Sequence, residues 1–373
     1  MKRSDVFNVN LIYFIMAILF VAIRILSNAG VFNFMGESAN YVVNGVIQVG
    51  IMLLFPLILL SVMRKRSVGG TLEDCGFKGI SFKEVLISIA IGIVVFILNI
   101  ILSTIISYIF SLLGYSPDSS ALIYTEPTIE NLVLSLLMTA VLPAFCEEFA
   151  HRGMLLSGYK VLGFKKAVLY SSLLFGLIHL NVGQFFFASL VGVVLACTTL
   201  FSRSIIPAMI IHFLNNGISV YLEFSAARNL PLGTFYQNTS LALFSGNFIL
   251  SFIYMVVLIT VLLALLFYLV KLFLKINAEK SLKSYMGKIA MEELRKDTLG
   301  EIAEETPSES SKLADLLKGN RGLAPLKVEI PYEVLGFYMS PAMKESKLDK
   351  TFYYATVVLG SVITLFTFIW GII

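Results

Sequence analysis

Long apolar segments recur along this chain of 373 residues, and they constrain its fold more than any other feature of the sequence. A helix needs about 20 mostly apolar residues to cross the hydrocarbon core of a bilayer. Segments of this kind predict nine spans, at 9–27, 41–63, 85–113, 131–150, 166–181, 185–201, 205–224, 243–274 and 351–373. Because every backbone polar group in lipid needs an internal partner, the pattern predicts an all-α, multi-pass transmembrane helical bundle of about 8–9 spans.

The composition agrees with a membrane protein and makes the lipid bilayer the first predicted partner. Charged residues make up 14% of the chain, whereas a soluble domain carries roughly 25%. The fifth and sixth predicted spans are short and are joined by only four residues, "NVGQ". A hairpin that does not cross the whole bilayer is therefore an alternative for this pair. The sequence contains no Gly-rich phosphate loop or nucleic-acid motif, so nucleic acid is not predicted as a partner.

The charges of the loops predict the orientation of the chain in the membrane. Lysine and arginine cluster at 64–66, 160–166 and 271–280, whereas the loops at 28–40 and 114–130 contain neither residue. Cytoplasmic loops carry the excess of Lys and Arg, so this asymmetry predicts a cytoplasmic N-terminus. Together with the compact length of the chain, the basic loops favour the plasma membrane of a bacterium.

Changes in composition divide the chain into five predicted regions. They are N-terminal transmembrane helices at 1–120, a central segment at 121–225, an additional span at 226–274, a charged cytoplasmic segment at 275–350 and a C-terminal transmembrane helix at 351–373. The charged segment begins with an exposed-helix pattern and contains "ETPSESS", which is typical of a linker. A charged connector and a dedicated binding module both remain open for it.

The central segment concentrates the ionisable residues, which are costly inside a membrane and by default mark function or mutual pairing. The stretch "FCEEFAHRGML" carries two adjacent glutamates, a histidine and an arginine, and all three histidines of the chain lie within the central segment on three different predicted helices. Residues four apart share a face of a helix. Glu148 is therefore predicted to pair with Arg152, and Glu147 to reach His151.

Adjacent residues of a helix point about 100° apart, so the two glutamates cannot act in the same direction. We expect Glu148 and Arg152 to form a structural, orienting ion pair and Glu147 to face the space between helices. Pro143 lies four residues before Glu147 and is predicted to kink the helix there. The alternative is that these residues, with His179 and His212, only link helices through hydrogen bonds.

Three motifs in order resemble one family of membrane proteases. They are "EEFAHR" from Glu147 to Arg152, "FGLIH" ending at His179, and "HFLNN" from His212, with Asn216 at its fifth position. Their order and spacing resemble the CAAX prenyl endopeptidase and bacteriocin-processing family, also called the CPBP or abortive-infection family. The resemblance covers roughly residues 125–225, which makes 121–225 the predicted protease core.

The resemblance implies an intramembrane endopeptidase that hydrolyses a peptide bond of a membrane-associated protein or peptide. Glu147 and His179 would activate water, and His212 and Asn216 would stabilise the oxyanion, which makes these four the candidate catalytic residues. Preorganised donors of this kind contribute several kcal/mol, about 2.7–4 kcal/mol for one donor. His151 lies outside the family pattern, and the first three spans show no signature residue of the family.

The sequence does not establish a cofactor, but zinc is an alternative. Glu147, His179 and His212 would supply the two histidines and one glutamate of a catalytic zinc site. The chain lacks the HExxH spacing that places two ligands on one helix, which favours the metal-free chemistry. A non-catalytic membrane scaffold or immunity protein is a further alternative, as is a transporter with a polar site at the midplane.

The predicted span boundaries create one difficulty for the protease hypothesis. Glu147 lies near the cytoplasmic end of the span predicted at 131–150, whereas His179 follows Lys166 by 13 residues, about 20 Å of helix. The two side chains would then meet only if the hairpin at 166–201 begins outside the membrane, tilts strongly or is re-entrant.

Overall fold

The computed structural model describes residues 4–115, 126–245, 248–298 and 347–370, and the regular secondary structure of these residues is entirely helical. The first helices are α1 (Ser4–Asn28), α2 (Ala39–Arg64), α3 (Val68–Asp74), α4 (Phe82–Leu112), α5 (Ile129–Leu162) and α6 (Phe164–Leu177). They are followed by α7 (Val182–Ser202), α8 (Ile206–Ala227), α9 (Pro231–Ser245), α10 (Phe248–Thr298) and α11 (Lys347–Trp370). Each of the nine predicted spans falls on one or two of these helices. The prediction of an all-α, multi-pass bundle is confirmed.

Seven of the described helices are long and apolar enough to cross a membrane, namely α1, α2, α4, α5, α7, α10 and α11. The helix α6 has only 14 residues, in agreement with the short span predicted there. The sequence did not predict α9 as a separate helix. The helix α10 continues without a break from the apolar span into the charged region and ends at Thr298. The predicted linker at 305–311 and the rest of the charged segment up to 346 lie outside the described residues.

Polar caps fix where several of these apolar helices begin. At the start of α4, the Ser81 hydroxyl accepts a hydrogen bond from the backbone N–H of Glu84, and the Glu84 carboxylate accepts one from the backbone N–H of Ser81. Thr128 caps α5 and Asn181 caps α7 through a single bond, in which the side-chain oxygen accepts from the backbone N–H three residues later. Such caps satisfy N–H groups that the first turn leaves without an intrahelical partner, which matters most at a membrane boundary.

The helix α5 is locally widened on both sides of Glu147. It is π-wound at Leu136–Val141 and again at Phe149–Leu156, with an α-helical stretch at Leu142–Glu148 between them. Pro143 lies in the first turn of that α-helical stretch, directly after the first π segment. A proline has no backbone N–H to donate, and a π segment is one way in which a helix accommodates the missing hydrogen bond. The irregularity predicted at Pro143 thus takes the form of a π-wound turn.

The hairpin formed by α5 and α6 removes the difficulty over the depth of Glu147 and His179. The expectation that the fourth span ends near residue 150 is wrong, because α5 continues to Leu162 and turns at Gly163. Gly163 has φ of +88°, a conformation that favours glycine at a sharp turn. Glu147 precedes Gly163 by 16 residues and His179 follows it by 16 residues. The equal separations from the turn therefore let α6 return His179 to the level of Glu147.

The C-terminal helix α11 belongs to the bundle although it follows a long intervening segment. It packs against α1, α6 and α7. The ring of Tyr353 stacks on Tyr170 of α6 with centroids 4.3 Å apart, and the Thr367 hydroxyl donates to the Leu180 carbonyl at 3.0 Å. At the other end, the Asn10 side chain of α1 donates to the carbonyl of Asp349. The helix α11 therefore covers part of α6 and α7, with α1 packed beside it.

Small residues let α7 approach α6 closely. A Cβ atom added to Gly192 would lie 3.1 Å from the Cα atom of Ser172 and 3.3 Å from Cδ1 of Phe175. This close approach leaves the Gly192 carbonyl within reach of Arg152, whose Nη2 donates to it at 3.2 Å. Close backbone contact through small residues is a usual way for helices to associate in membranes.

We expect Gly192→Ala to destabilise the bundle and Gly45→Ala to leave it as stable as the native chain, or slightly more so. Gly192 meets the backbone of α6, so overpacking should cost about 1–3 kcal/mol. Gly45 is also helical, but a Cβ added there meets nothing within 4 Å, and alanine is favoured over glycine in a helix by up to about 1 kcal/mol. The unfolding temperatures of the detergent-purified variants test this difference, and equal temperatures would contradict the close approach of α6 and α7.

Candidate active site

One buried carboxylate, that of Glu148, lies at the centre of the ionisable residues. Its side chain is fully buried. Oε2 lies 3.2 Å from Nε of Arg152, which is the ion pair predicted from the i, i+4 spacing. Oε1 accepts a hydrogen bond from Nδ1 of His212 at 2.8 Å, a contact between α5 and α8 that the spacing could not predict. Glu148 thus joins the first and third motifs directly.

The guanidinium group of Arg152 extends this network to two more helices. Its Nη2 donates to the Gly192 carbonyl of α7, and its central carbon lies 4.3 Å from the centroid of the Phe175 ring of α6. A cation over an aromatic face is attracted by the ring quadrupole, most strongly where water is excluded. Arg152 is 1% exposed. Four helices, α5 to α8, therefore meet at this one ion pair.

The Phe175 ring is also the point where the three histidines come together. The ring centroids of His151, His179 and His212 lie 5.0, 5.2 and 5.7 Å from the Phe175 centroid, each in an edge-to-face arrangement. Edge-to-face contacts are the preferred geometry of aromatic pairs. The three histidines thus surround one buried aromatic ring, although α5, α6 and α8 each supply only one of them.

The structure fixes which nitrogen of His179 carries the proton. Its Nδ1 lies 2.8 Å from the Phe175 carbonyl oxygen, which can only accept a hydrogen bond. Nδ1 must therefore be the donor. In the neutral ring this leaves the lone pair on Nε2 to accept a proton or a hydrogen bond. His179 is half-buried, unlike the fully buried His151.

Glu147 is held differently from its neighbour. It is half-buried, and its Oε1 accepts a hydrogen bond from Nε2 of Gln48, at 2.8 Å, on the π-wound part of α2. The expectation that the Glu147 carboxylate reaches His151 is wrong. Instead Nδ1 of His151 bonds to the backbone carbonyl of Glu147 at 2.8 Å, while Gln48 supplies the donor for the carboxylate.

His151 connects the first motif to α1. Its Nε2 lies 2.9 Å from the hydroxyl of Tyr13, and that hydroxyl also lies 3.1 Å from the carbonyl of Leu174 on α6. Tyr13 is buried, 1% exposed. The Glu147 carbonyl takes the Nδ1 proton of a neutral His151, so Nε2 and the Leu174 carbonyl share the single proton of the tyrosine hydroxyl. Tyr13 thus fixes the relative position of α5 and α6 next to the second motif.

Two hydrogen bonds orient the side-chain amide of Asn216, which lies on α8. Its Nδ2 donates to the Thr139 carbonyl of α5 at 3.0 Å, and its Oδ1 accepts from Nδ2 of Asn215 at 3.1 Å. Asn215 in turn accepts a hydrogen bond from Asn99 of α4 at 2.9 Å. The amide of Asn216 has two N–H groups, and the Thr139 carbonyl uses only one of them. The second can serve as a donor in the site.

The side chains proposed for zinc do not form a ligand set. Within 4–115, 126–245, 248–298 and 347–370, no three His, Cys, Asp or Glu side chains are arranged to hold a metal ion. Nδ1 of His212 bonds to Glu148, and Oε1 of Glu147 accepts from Gln48, so only Nε2 of His212 and Oε2 of Glu147 could face a ligand. The described structure does not bring Glu147, His179 and His212 together as a group of metal ligands, and we derive no step through a metal.

The sequence did not predict Gln48, Tyr13 or Asn99 as part of the site. Each is the partner of a motif residue, and each comes from one of the first three predicted spans. The signal that could have found Gln48 and Asn99 is their polarity, because an amide in the middle of an apolar span needs a partner. A tyrosine carries no such signal, since it is common both in bundles and at membrane interfaces.

Comparison with known families agrees with the three motifs. Residues 129–218 match the family model described as type II CAAX prenyl endopeptidase Rce1-like. The match begins at the first residue of α5 and ends within α8, so it contains all three motifs and about a quarter of the chain. No curated protein and no solved structure matches the chain. The resemblance to CAAX-type membrane proteases is confirmed for this segment, and it supports a protease of a membrane-embedded family.

We expect Glu148→Gln to destabilise the protein and Glu147→Gln to leave its stability nearly unchanged. Loss of the Glu148 charge leaves Arg152 buried without its counter-charge, a change that typically costs about 3–5 kcal/mol. A glutamine at 147 keeps an oxygen that can accept from Gln48. Purified yield and unfolding temperature in detergent measure both effects. Equal losses in the two variants, or a larger loss for Glu147→Gln, would contradict the roles given to the two glutamates.

Proposed function

We propose that this chain is an intramembrane endopeptidase whose active site is built by the segment similar to the Rce1-like family, residues 129–218. The observation that carries the proposal is that two adjacent carboxylates differ in their burial and in their partners. Glu148 is fully buried and used by Arg152 and His212, whereas Glu147 is half-buried and held by a single amide from α2. Of these two carboxylates, only that of Glu147 has an oxygen left to take part in the reaction.

Glu147 and His179 are proposed to activate the attacking water. The Gln48 amide orients the Glu147 carboxylate through Oε1, which leaves Oε2 to accept a proton. The His179 ring is fixed by the Phe175 carbonyl with its Nε2 lone pair available, so it can accept the second hydrogen bond from the same water. A positioned general base of this type contributes about 10²–10⁴-fold to the rate.

His212 and Asn216 are proposed to stabilise the oxyanion of the tetrahedral intermediate. Nδ1 of His212 bonds to the Glu148 carboxylate, and a ring protonated on both nitrogens presents its Nε2–H to the oxyanion. Asn216 contributes the N–H that the Thr139 carbonyl does not use. One turn of α8 separates the two residues, so both donors lie on one face of the helix.

The proposed reaction balances with these groups alone. The water oxygen attacks the carbonyl carbon of the scissile peptide while its proton passes to Glu147. The carbonyl oxygen becomes the oxyanion held by His212 and Asn216. When the intermediate collapses, the C–N bond breaks, the carbonyl re-forms as a carboxylic acid, and the proton held by Glu147 passes to the leaving amine.

The substrate is proposed to be a membrane-associated protein or peptide, because the site lies among membrane-spanning helices and is half-exposed only at Glu147, His179 and Asn216. The proposed setting is the plasma membrane with the N-terminus in the cytoplasm. The basic residues after α2 and around the turn between α5 and α6 support this orientation.

Cleavage of defined peptides by reconstituted protein tests the proposal. The probes are internally quenched peptides that end in a CAAX sequence, with the cysteine either farnesylated or unmodified, and mass spectrometry locates the cut. We expect cleavage by the native chain and a loss of at least about 100-fold in kcat for Glu147→Gln, because that variant lacks the general base. Glu130→Gln is the matched control, since Glu130 is exposed on the same helix.

Three outcomes of that experiment would overturn parts of the proposal. Absence of cleavage of every probe by a folded native chain would favour a non-catalytic membrane scaffold. Full activity of Glu147→Gln would keep the protease but remove Glu147 as its general base. Activity that is lost with chelator and restored by stoichiometric zinc would replace the metal-free mechanism but keep the protease. We expect activity to persist in chelator.

A further inference from the structure

We propose that Asn99 and Asn215 are positioning residues that hold the side-chain amide of Asn216 with its nitrogen directed into the site. This inference rests on the proposed function, because it concerns how one of the oxyanion donors is prepared. Asn99 lies on α4, outside the segment 129–218 that matches the family model. The three amides form a relay, defined here as Asn99, Asn215 and Asn216.

The direction of the relay is set by a single backbone carbonyl. Nδ2 of Asn216 lies 3.0 Å from the Thr139 carbonyl, which can only accept, so the nitrogen of that amide must point to α5. Its oxygen then points the other way and meets Nδ2 of Asn215 at 3.1 Å. The oxygen of Asn215 is thereby also fixed, and it meets Nδ2 of Asn99 at 2.9 Å. Each amide donates to the next, from α4 towards the site.

The relay gives a partner to the amide nitrogen of Asn99, which lies in the middle of α4. Asn99 lies within "FILNIIL" of α4, where an unpartnered amide would be costly in lipid. Asn215 is 9% exposed, and both of its polar atoms are used within the relay. The neighbouring polar residue on α4, Ser103, is not part of it, because its hydroxyl bonds locally to the carbonyl of Ile100.

The relay matters for catalysis in two ways. A flipped Asn216 amide would direct its oxygen at the oxyanion and repel it, and the donor from Asn215 to Oδ1 opposes that flip. In addition, hydrogen bonds in a chain polarise one another, so an amide whose oxygen accepts a hydrogen bond has a more acidic N–H group. Asn99 therefore acts on the reaction only through Asn215 and Asn216.

Kinetics of single and double variants test this route. We expect Asn99→Leu to lower kcat about tenfold, the amount lost with about 1.4 kcal/mol of transition-state stabilisation, with KM within twofold. In an Asn216→Ala background, Asn99→Leu should have no further effect on kcat, since the donor it prepares is already absent. Ser103→Ala is the control one turn away and should match the native chain. If the leucine variant does not fold, Asn99→Ala takes its place.

A spectroscopic readout keeps the relay testable without turnover. The side-chain amide NMR signals of Asn216, in isotope-labelled protein in detergent, should shift in Asn99→Leu and stay unchanged in Ser103→Ala. Unchanged Asn216 signals in Asn99→Leu would overturn the relay whatever the activity. So would additive losses of kcat in the double variant, or an effect on KM alone. Full activity of Asn216→Ala would instead remove Asn216 from the proposed mechanism.

Discussion

The buried carboxylate of Glu148 is the interaction on which the arrangement of the site depends. It has no exposure to solvent, and it faces the Arg152 guanidinium on one oxygen and the His212 ring on the other. Arg152 in turn holds the Gly192 carbonyl and the Phe175 ring, around which the three histidines gather. An ion pair buried this deeply repays its desolvation only when its remaining hydrogen-bonding capacity is used. The hydrogen bonds to α7 and α8 and the cation–π contact to α6 use part of that capacity, and they hold the motif helices in one register.

Because both carboxylate oxygens of Glu148 face partners within the bundle, the neighbouring Glu147 is the carboxylate available for the reaction. The segment that matches the family model does not complete the site by itself. Tyr13 of α1 bonds to His151, Gln48 of α2 bonds to Glu147, and Asn99 of α4 begins the relay that ends at Asn216. Each of the first three predicted spans thus contributes one polar side chain to a residue of the central segment. These contacts explain why the N-terminal helices pack against α5 and α8 rather than simply anchoring the chain.

The sequence was sufficient for features that depend on spacing within one helix and insufficient for those that depend on register between helices. The apolar segments predicted the helices, and the i, i+4 rule predicted the pairing of Glu148 with Arg152, because both follow from the period of a single helix. The end of α5 was misplaced because Arg152 and Lys160 interrupt the apolar pattern of its last turns, although the helix continues to Leu162. The partner of the Glu147 carboxylate was also wrong, since an amide from α2 competes with His151, and no local rule fixes how α2 is positioned along α5.

The central claim is that Glu147 faces the scissile bond while Glu148 stays buried, and an experimental structure of the Glu147→Gln variant with an uncleaved peptide bound tests it most directly. The account predicts the scissile carbonyl carbon one water away from residue 147 and from Nε2 of His179, with the carbonyl oxygen directed at Asn216 and His212. It also predicts that Glu148 keeps its contacts with Arg152 and His212. A peptide bound with its carbonyl next to Glu148, or one bound away from α5 and α8, would contradict the account.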